Sequence, residues 1–219
     1  MAKKELTAKQ KREKNIALIN GRLDRELKRG SEYMDYKVAH MYSGVFGMIV
    51  NPLVSLIYKF AARESIIKRA QRQLDLIVSC ASKYNGKNLD ALVDEHLEEY
   101  LNTEEAYVRG NRNHKKFPEV KKILRSAFRA RLAAVTEILD GEGETYDDLA
   151  RSVFPKREQS EKLCNEQLEI AEKLIVMLDE EKDLVRIPSL IRKEVLTMLR
   201  SGFEWYKKTL KEELEEMYG

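Results

Sequence analysis

Three histidines, two cysteines and a large stock of carboxylates are the residues with which this chain could do chemistry. His96 stands among Asp94, Glu95, Glu98 and Glu99, and on a helix it shares a face with Glu99. That pair could ligate a metal weakly if donors from elsewhere joined it, but a histidine on a helix surface is the plainer reading. None of His40, His96 and His114 lies three residues after a glutamate, so the pairing used by helical di-iron sites is missing. The sequence contains no H-E-x-x-H, paired C-x-x-C, Walker A or G-x-G-x-x-G pattern. Cys80 and Cys164 sit far apart within helical patterns, where they read as small apolar fillers in a reduced, cytoplasmic protein. No catalytic, cofactor-binding or metal-ligating set is therefore assigned.

Phosphate chemistry has more material. Residues 1–30 hold ten Lys or Arg against four acids, and residues 109–131 hold nine against one. The cations with the best placement for a phosphate or nucleic-acid backbone are Lys9, Lys11, Arg12 and Lys14 on the first helix. Joining them are Arg109, Arg112, His114, Lys115, Lys116, Lys121, Lys122 and Arg125, in a loop and the helix it feeds. Acids are equally clustered, with seven and no base over residues 90–105 and six and no base over residues 137–148. The opposed runs are expected either to pair with one another across helix faces or to leave a basic surface for nucleic acid or lipid.

Between Lys37 and Lys59 the chain carries no acidic or basic side chain other than His40, although charged residues make up 35% of the whole. Such a stretch must leave water. A transmembrane helix needs ~20 mostly apolar residues, so its length qualifies. Polar residues, the Asn51-Pro52 pair and basic flanks on both sides argue against one straight span. The reading adopted is two apolar helix arms bent at Asn51-Pro52 and buried by protein, with Met48, Ile49, Val50, Leu53, Leu56 and Ile57 largely covered. Phe46 belongs with these six as a contact for a membrane or a partner helix. A bare apolar patch there would instead favour a bilayer or an obligate partner.

The elements that position these groups are helices throughout, since the chain has few Gly, four Pro and abundant Leu, Glu, Lys and Arg. Thr7 is the expected N-cap of a first helix that Gly30-Ser31 breaks, its polar first turns projecting into solvent or onto a partner. A second helix enters the charge-free window, and a third runs from Pro52 until Asn85-Gly86 ends it. Another spans residues 89–107. The polar segment 109–117 is the longest connection and the expected boundary between two lobes, 1–108 and 109–219. Residues 119–140 form a strong helix, and Thr145 with Asp148 forms a capping box for a short one ending at Phe154. Pro155 opens a helix to about 181, residues 184–187 could be extended, and Pro188 opens the last helix. Phe203, Trp205 and Tyr206 on that helix read as core rather than as a base-stacking platform. The three helices from 119 to 181 could pass for a helix-turn-helix, but the third soon turns acidic, which does not suit a DNA groove.

The expected protein is all-α, a bundle of about seven or eight helices in two lobes with a Pro-bent apolar pair at 38–58. The N-terminal segment is charged and shows no signal peptide, consistent with the cytoplasm, with the inner face of a membrane as the other placement. The leading functional expectation is a non-catalytic scaffold or adaptor that binds a protein partner, or a second copy, through its basic surfaces. An RNA- or ribosome-associated binder and a peripheral membrane protein anchored through 38–58 are the alternatives.

Overall fold

The structure, a computed structural model, describes residues 7–86, 88–103, 112–181, 184 and 189–219. Arg109, Gly110, Pro188 and the expected extended segment 185–187 lie outside the described residues, as do the side chains of Phe46 and Ile191. The protein is an all-α multi-helix bundle, with eight α-helices and no strand among the described residues.

Helix α1 (Ala8–Ala39) starts at Thr7, whose hydroxyl accepts from the Gln10 amide while the Gln10 side chain accepts from the Thr7 amide. The expected break at Gly30-Ser31 does not occur, and α1 runs unbroken through both residues. Helix α8 (Ser189–Tyr218) braces it there: Tyr33 donates to the Ser201 carbonyl at 2.9 Å and stacks on Trp205 at 4.6 Å, and Arg29 meets Glu213 at 2.8 Å. Tertiary contacts of this kind outweigh the ~1 kcal/mol helix penalty of one glycine.

The chain reverses over residues 40–43 into α2 (Gly44–Ile57), with Gly44 at a φ of +67° that favours glycine. The expected bend at Asn51-Pro52 is likewise replaced by a continuous helix. The Asn51 side chain accepts from the Tyr42 amide at 2.9 Å and donates to the Tyr42 carbonyl at 2.8 Å, which fixes the reversal one loop earlier. Pro52 lies on the exposed side of the helix, beside the cleft that Ala39 and Tyr42 line. The helix then widens into a π-helical turn, Tyr58–Arg63, and tightens again as α3 (Glu64–Lys83). Gly86, at φ +80°, follows the end of α3 as expected.

Helices α4 (Leu89–Thr103), α5 (Phe117–Leu139), α6 (Tyr146–Val153) and α7 (Arg157–Glu180) complete the bundle. Amphipathic α5 is its axis, packing against α1, α3, α4, α6 and α7 and burying Val120, Leu124, Phe128 and Leu132. Phe128 stacks on fully buried Tyr100 of α4 at 4.5 Å. One buried cluster draws on both sides of the 109–117 connection, from Ile19 and Leu76 to Met177 and Leu196. The Thr145–Asp148 capping box forms as expected and seats α6.

Beyond its exposed first turn, α1 packs onto the bundle rather than projecting. Buried Asn15 donates to the carbonyls of Leu139 and Gly141, at 2.9 and 3.0 Å. Those carbonyls stand where α5 runs out of intrahelical partners, so Asn15 caps α5 from outside. Gly143 follows in the same loop, and a Cβ there would lie 2.2 Å from the Asp148 Cβ.

Candidate apolar ridge and basic surfaces

The basic residues singled out by sequence are mostly engaged within the protein. Lys11 meets Glu142 at 2.6 Å, and Lys14 meets Glu144 at 3.0 Å while donating to the Gly143 carbonyl at 2.9 Å. Arg12 donates to the carbonyls of Ala81 and Tyr84 at the end of α3, both at 3.1 Å. Lys9, on the exposed side of α1, has only Glu13 at 4.0 Å among the described residues.

The second group pairs with the acidic run of α4. Arg125 bonds Asp94 at 2.7 Å and Asp90 at 3.2 Å, Arg129 bonds Asp90 at 3.0 Å, and Lys121 bonds Glu98 at 2.6 Å. Arg112 reaches Glu98 at 3.3 Å and Asn102 at 3.2 Å. Lys116 pairs with Glu119 at 3.1 Å and Lys115 with Glu181 at 3.6 Å, while His114 accepts from the Lys116 amide. Exposed Lys122 has no ion pair among the described residues. Hydrogen bonds from Arg129, Arg125 and Lys121 hold the carboxyls of Asp90, Asp94 and Glu98 below their ordinary range. The opposed charge runs of α4 and α5 thus form a lattice between two packed helices. Most of these cations already have a carboxylate beside them.

No group of three or more His, Cys, Asp or Glu side chains among the described residues converges as a metal site would require. Among the described residues, His96 has Glu99 at 3.4 Å and Glu95 at 4.0 Å. Cys80 is buried, and burial pushes its thiol up to about 11, which keeps it protonated and unreactive at neutral pH. Among the described residues, two surface clefts bear on these groups. One of about 390 Å³ lies between α1 and α8 around Tyr33, Trp205 and Glu213. The other, of about 450 Å³, lies at the α1–α2 corner around Tyr42, Met48 and Asn51. Trp205 is taken up by its stack on Tyr33.

The charge-free window overturns the expectation of burial. Val45, Met48, Ile49, Leu53, Leu56, Ile57 and Phe60 are all between 53% and 85% exposed. Only Val50, of the six residues expected to be covered, is even half-buried. The exposed positions recur every three or four residues, so they form one stripe on one helical face. From Val45 to Phe60 that stripe is roughly 22 Å long at 1.5 Å per residue. The physical reason for the exposure is the topology: α2 packs chiefly against α1, one helix deep, and no second layer lies over it among the described residues.

Polar contacts hold the ridge in place. The Asn51–Tyr42 clamp fixes its start, and the Arg63 guanidinium bonds both oxygens of Asp35 in α1, at 2.8 and 3.0 Å, at its end. That second tie raises the Arg63 pKa further, chiefly through the hydrogen bond from Arg63 to Asp35. The spacing 45, 48/49, 52/53, 56/57, 60 marks one apolar helical face in the sequence, but not whether that face looks inward or outward. No helix among the described residues is long and apolar enough to cross a membrane. The chain matches no family model, no curated protein and no solved structure.

Proposed function

We propose that this is a non-catalytic, peripheral membrane-binding protein that seats the α2 ridge in the interfacial layer of a bilayer. The observation that carries the reading is the bare stripe from Val45 to Phe60, seven large apolar side chains each more than half exposed. Isolated soluble proteins rarely present a contiguous apolar patch of this kind unless it docks on something. A helix held parallel to the protein surface, apolar outward and too short to span, suits shallow insertion to a depth of ~5–10 Å. Moving such side chains out of water contributes on the order of 1 kcal/mol each.

A convex ridge needs a complementary groove if its partner is a protein, whereas fluid lipid conforms to it. A second copy is disfavoured by charge. Lys37 and Lys59 flank the ridge, and two ridges laid together in either direction would bring these cations near one another. The internal pairing of the α1 and α5 cations also shifts the reading away from a basic-surface adaptor or an RNA binder.

Vesicle flotation tests this. The purified protein is expected to float with mixed phosphatidylcholine–phosphatidylserine vesicles, and a Leu53→Asp variant with unchanged circular dichroism is expected to stay below. Wild-type protein that remains in solution with vesicles of every composition overturns the proposal. So does a concentration-dependent dimer that protects the ridge from hydrogen exchange.

A further inference from the structure

The exposed stripe does not end at Phe60. It continues along the same outward face as Glu64, Ser65, Lys68 and Arg72, all exposed. The π-helical turn makes this continuity possible. It inserts its extra residue between the two halves, so α3 carries its polar outward face in line with the apolar face of α2. From Phe60, Lys68 is roughly 12 Å and Arg72 roughly 18 Å further along the axis. One continuous helical rod, 44–83, is thus apolar along its outward N-terminal half and cationic where that half ends.

The charge at that junction is lopsided. Over residues 59–72 there are five basic side chains against one acid. Arg63 is taken by Asp35, while Lys68 meets Glu64 at 2.5 Å in a largely exposed pair one turn apart, a weak hold that leaves it open to a headgroup. Lys59 and Arg72 have no ion pair among the described residues; Arg72 bonds only the Lys68 carbonyl, one turn back. At the other end of α2, Lys37 lies over the Tyr33 ring at 5.4 Å and has no carboxylate partner among the described residues. This is the opposite of the α4–α5 lattice, where nearly every cation is matched. Cations left unmatched beside an inserting apolar face meet the headgroup layer, where anionic lipid supplies the missing partner.

We infer that the membrane recognised is an anionic one, with Lys59, Lys68 and Arg72 at the headgroup phosphates and carboxylates while the ridge enters the acyl boundary. The inference rests on the ridge reading and deepens it. The chemistry required is a dense layer of negative headgroups such as phosphatidylserine, without stereospecific recognition of one lipid.

Flotation with two vesicle types, phosphatidylcholine alone and phosphatidylcholine doped with phosphatidylserine, separates the two levels of the claim. The expected result is strong partition onto the doped vesicles that weakens from low to moderate salt, with weak partition onto the neutral ones. The triple variant Lys59→Gln/Lys68→Gln/Arg72→Gln is expected to lose roughly 5-fold per charge on the doped vesicles, about 100-fold together, and nothing on the neutral ones. These are exposed positions, so the variant folds, and circular dichroism verifies that. Equal, salt-insensitive partition onto both vesicle types overturns the anionic inference and leaves the ridge reading standing. Doped-vesicle binding unchanged by the triple variant also overturns it. Absence of binding to either vesicle overturns both. An RNA that binds wild type and Leu53→Asp equally, and loses affinity in the triple variant, reassigns these cations to nucleic acid and overturns the inference.

Discussion

Replacing Ile49 by serine should barely change the stability of this protein, although isoleucine at the centre of a charge-free window would ordinarily be the worst place for a polar residue. The magnitude follows from exposure. Ile49 is 72% exposed. Full burial of such a side chain contributes about 1.5–3 kcal/mol, so the covered quarter or so contributes only about 0.4–0.8 kcal/mol. Serine and isoleucine have similar helix propensities, so the total stays below about 1 kcal/mol. The comparison is Leu124→Ala on α5, where the side chain is buried in the central cluster and truncation should cost about 3–5 kcal/mol. Urea unfolding followed by far-ultraviolet circular dichroism measures both. A loss of 3 kcal/mol or so for Ile49→Ser would mean that α2 turns its stripe inward, and the ridge with everything built on it would fall. The same variant should lose vesicle partition, so its phenotype separates binding from folding.

The remaining expectations concern the devices that set the bundle's geometry. Asn15→Leu removes two donors from the buried carbonyls of Leu139 and Gly141 and should cost about 2–4 kcal/mol in urea unfolding. Gly143→Ala puts a Cβ 2.2 Å from Asp148 and should cost about 1–3 kcal/mol, visible as lost amide protection at Thr145 and Asp148. Acid should weaken the α4–α5 lattice. Asp90, Asp94 and Glu98 have folded-state pKa values depressed by Arg129, Arg125 and Lys121. A depressed carboxyl stabilises the fold above its unfolded value and loses that contribution as pH falls through its folded value. Thermal midpoints should therefore drop below about pH 4, and less steeply in an Asp90→Asn/Asp94→Asn/Glu98→Gln variant. An identical pH slope in that variant would locate the acid sensitivity elsewhere.

Elements governed by neighbours in sequence were legible; those governed by distant neighbours were not. Thr7 with Gln10 and Thr145 with Asp148 each complete a cap within four residues, so their types and spacing suffice. Gly30-Ser31 reads as a break because its rescue comes from Ser201, Trp205 and Glu213, about 170–185 positions away. Pro52 reads as a bend because the reversal it would make is made instead at Tyr42, by a side chain nine residues on. The ridge failed for another reason. Val50 and Val54 on the covered side are as apolar as Met48 and Leu53 on the bare side, so hydropathy along α2 carries no sign of which face looks outward. The charge map was legible as a pattern, and whether opposed runs would pair was a question of packing that only the α4–α5 contact answers.

That ambiguity in α2 makes its fixings the decisive feature. If apolar burial alone oriented the helix, the heavier stripe of Met48, Ile49, Leu53, Leu56 and Ile57 would turn onto α1 and the valines would face water. Hydrogen-bonded ties hold it the other way. Asn51 grips both backbone groups of Tyr42, and Arg63 grips Asp35 through both carboxylate oxygens. Half-buried bonds of this type contribute about 1 kcal/mol each, rising to ~1.5–3 kcal/mol where charge is involved, enough together to offset a less favourable apolar face. The double variant Asn51→Leu/Asp35→Asn leaves every ridge residue in place and removes the two fixings. It is expected to bind vesicles and a hydrophobic dye less than wild type while remaining helical, because α2 can then roll its stripe inward. Undiminished binding in that variant would mean that packing against α1, rather than these ties, points the ridge outward.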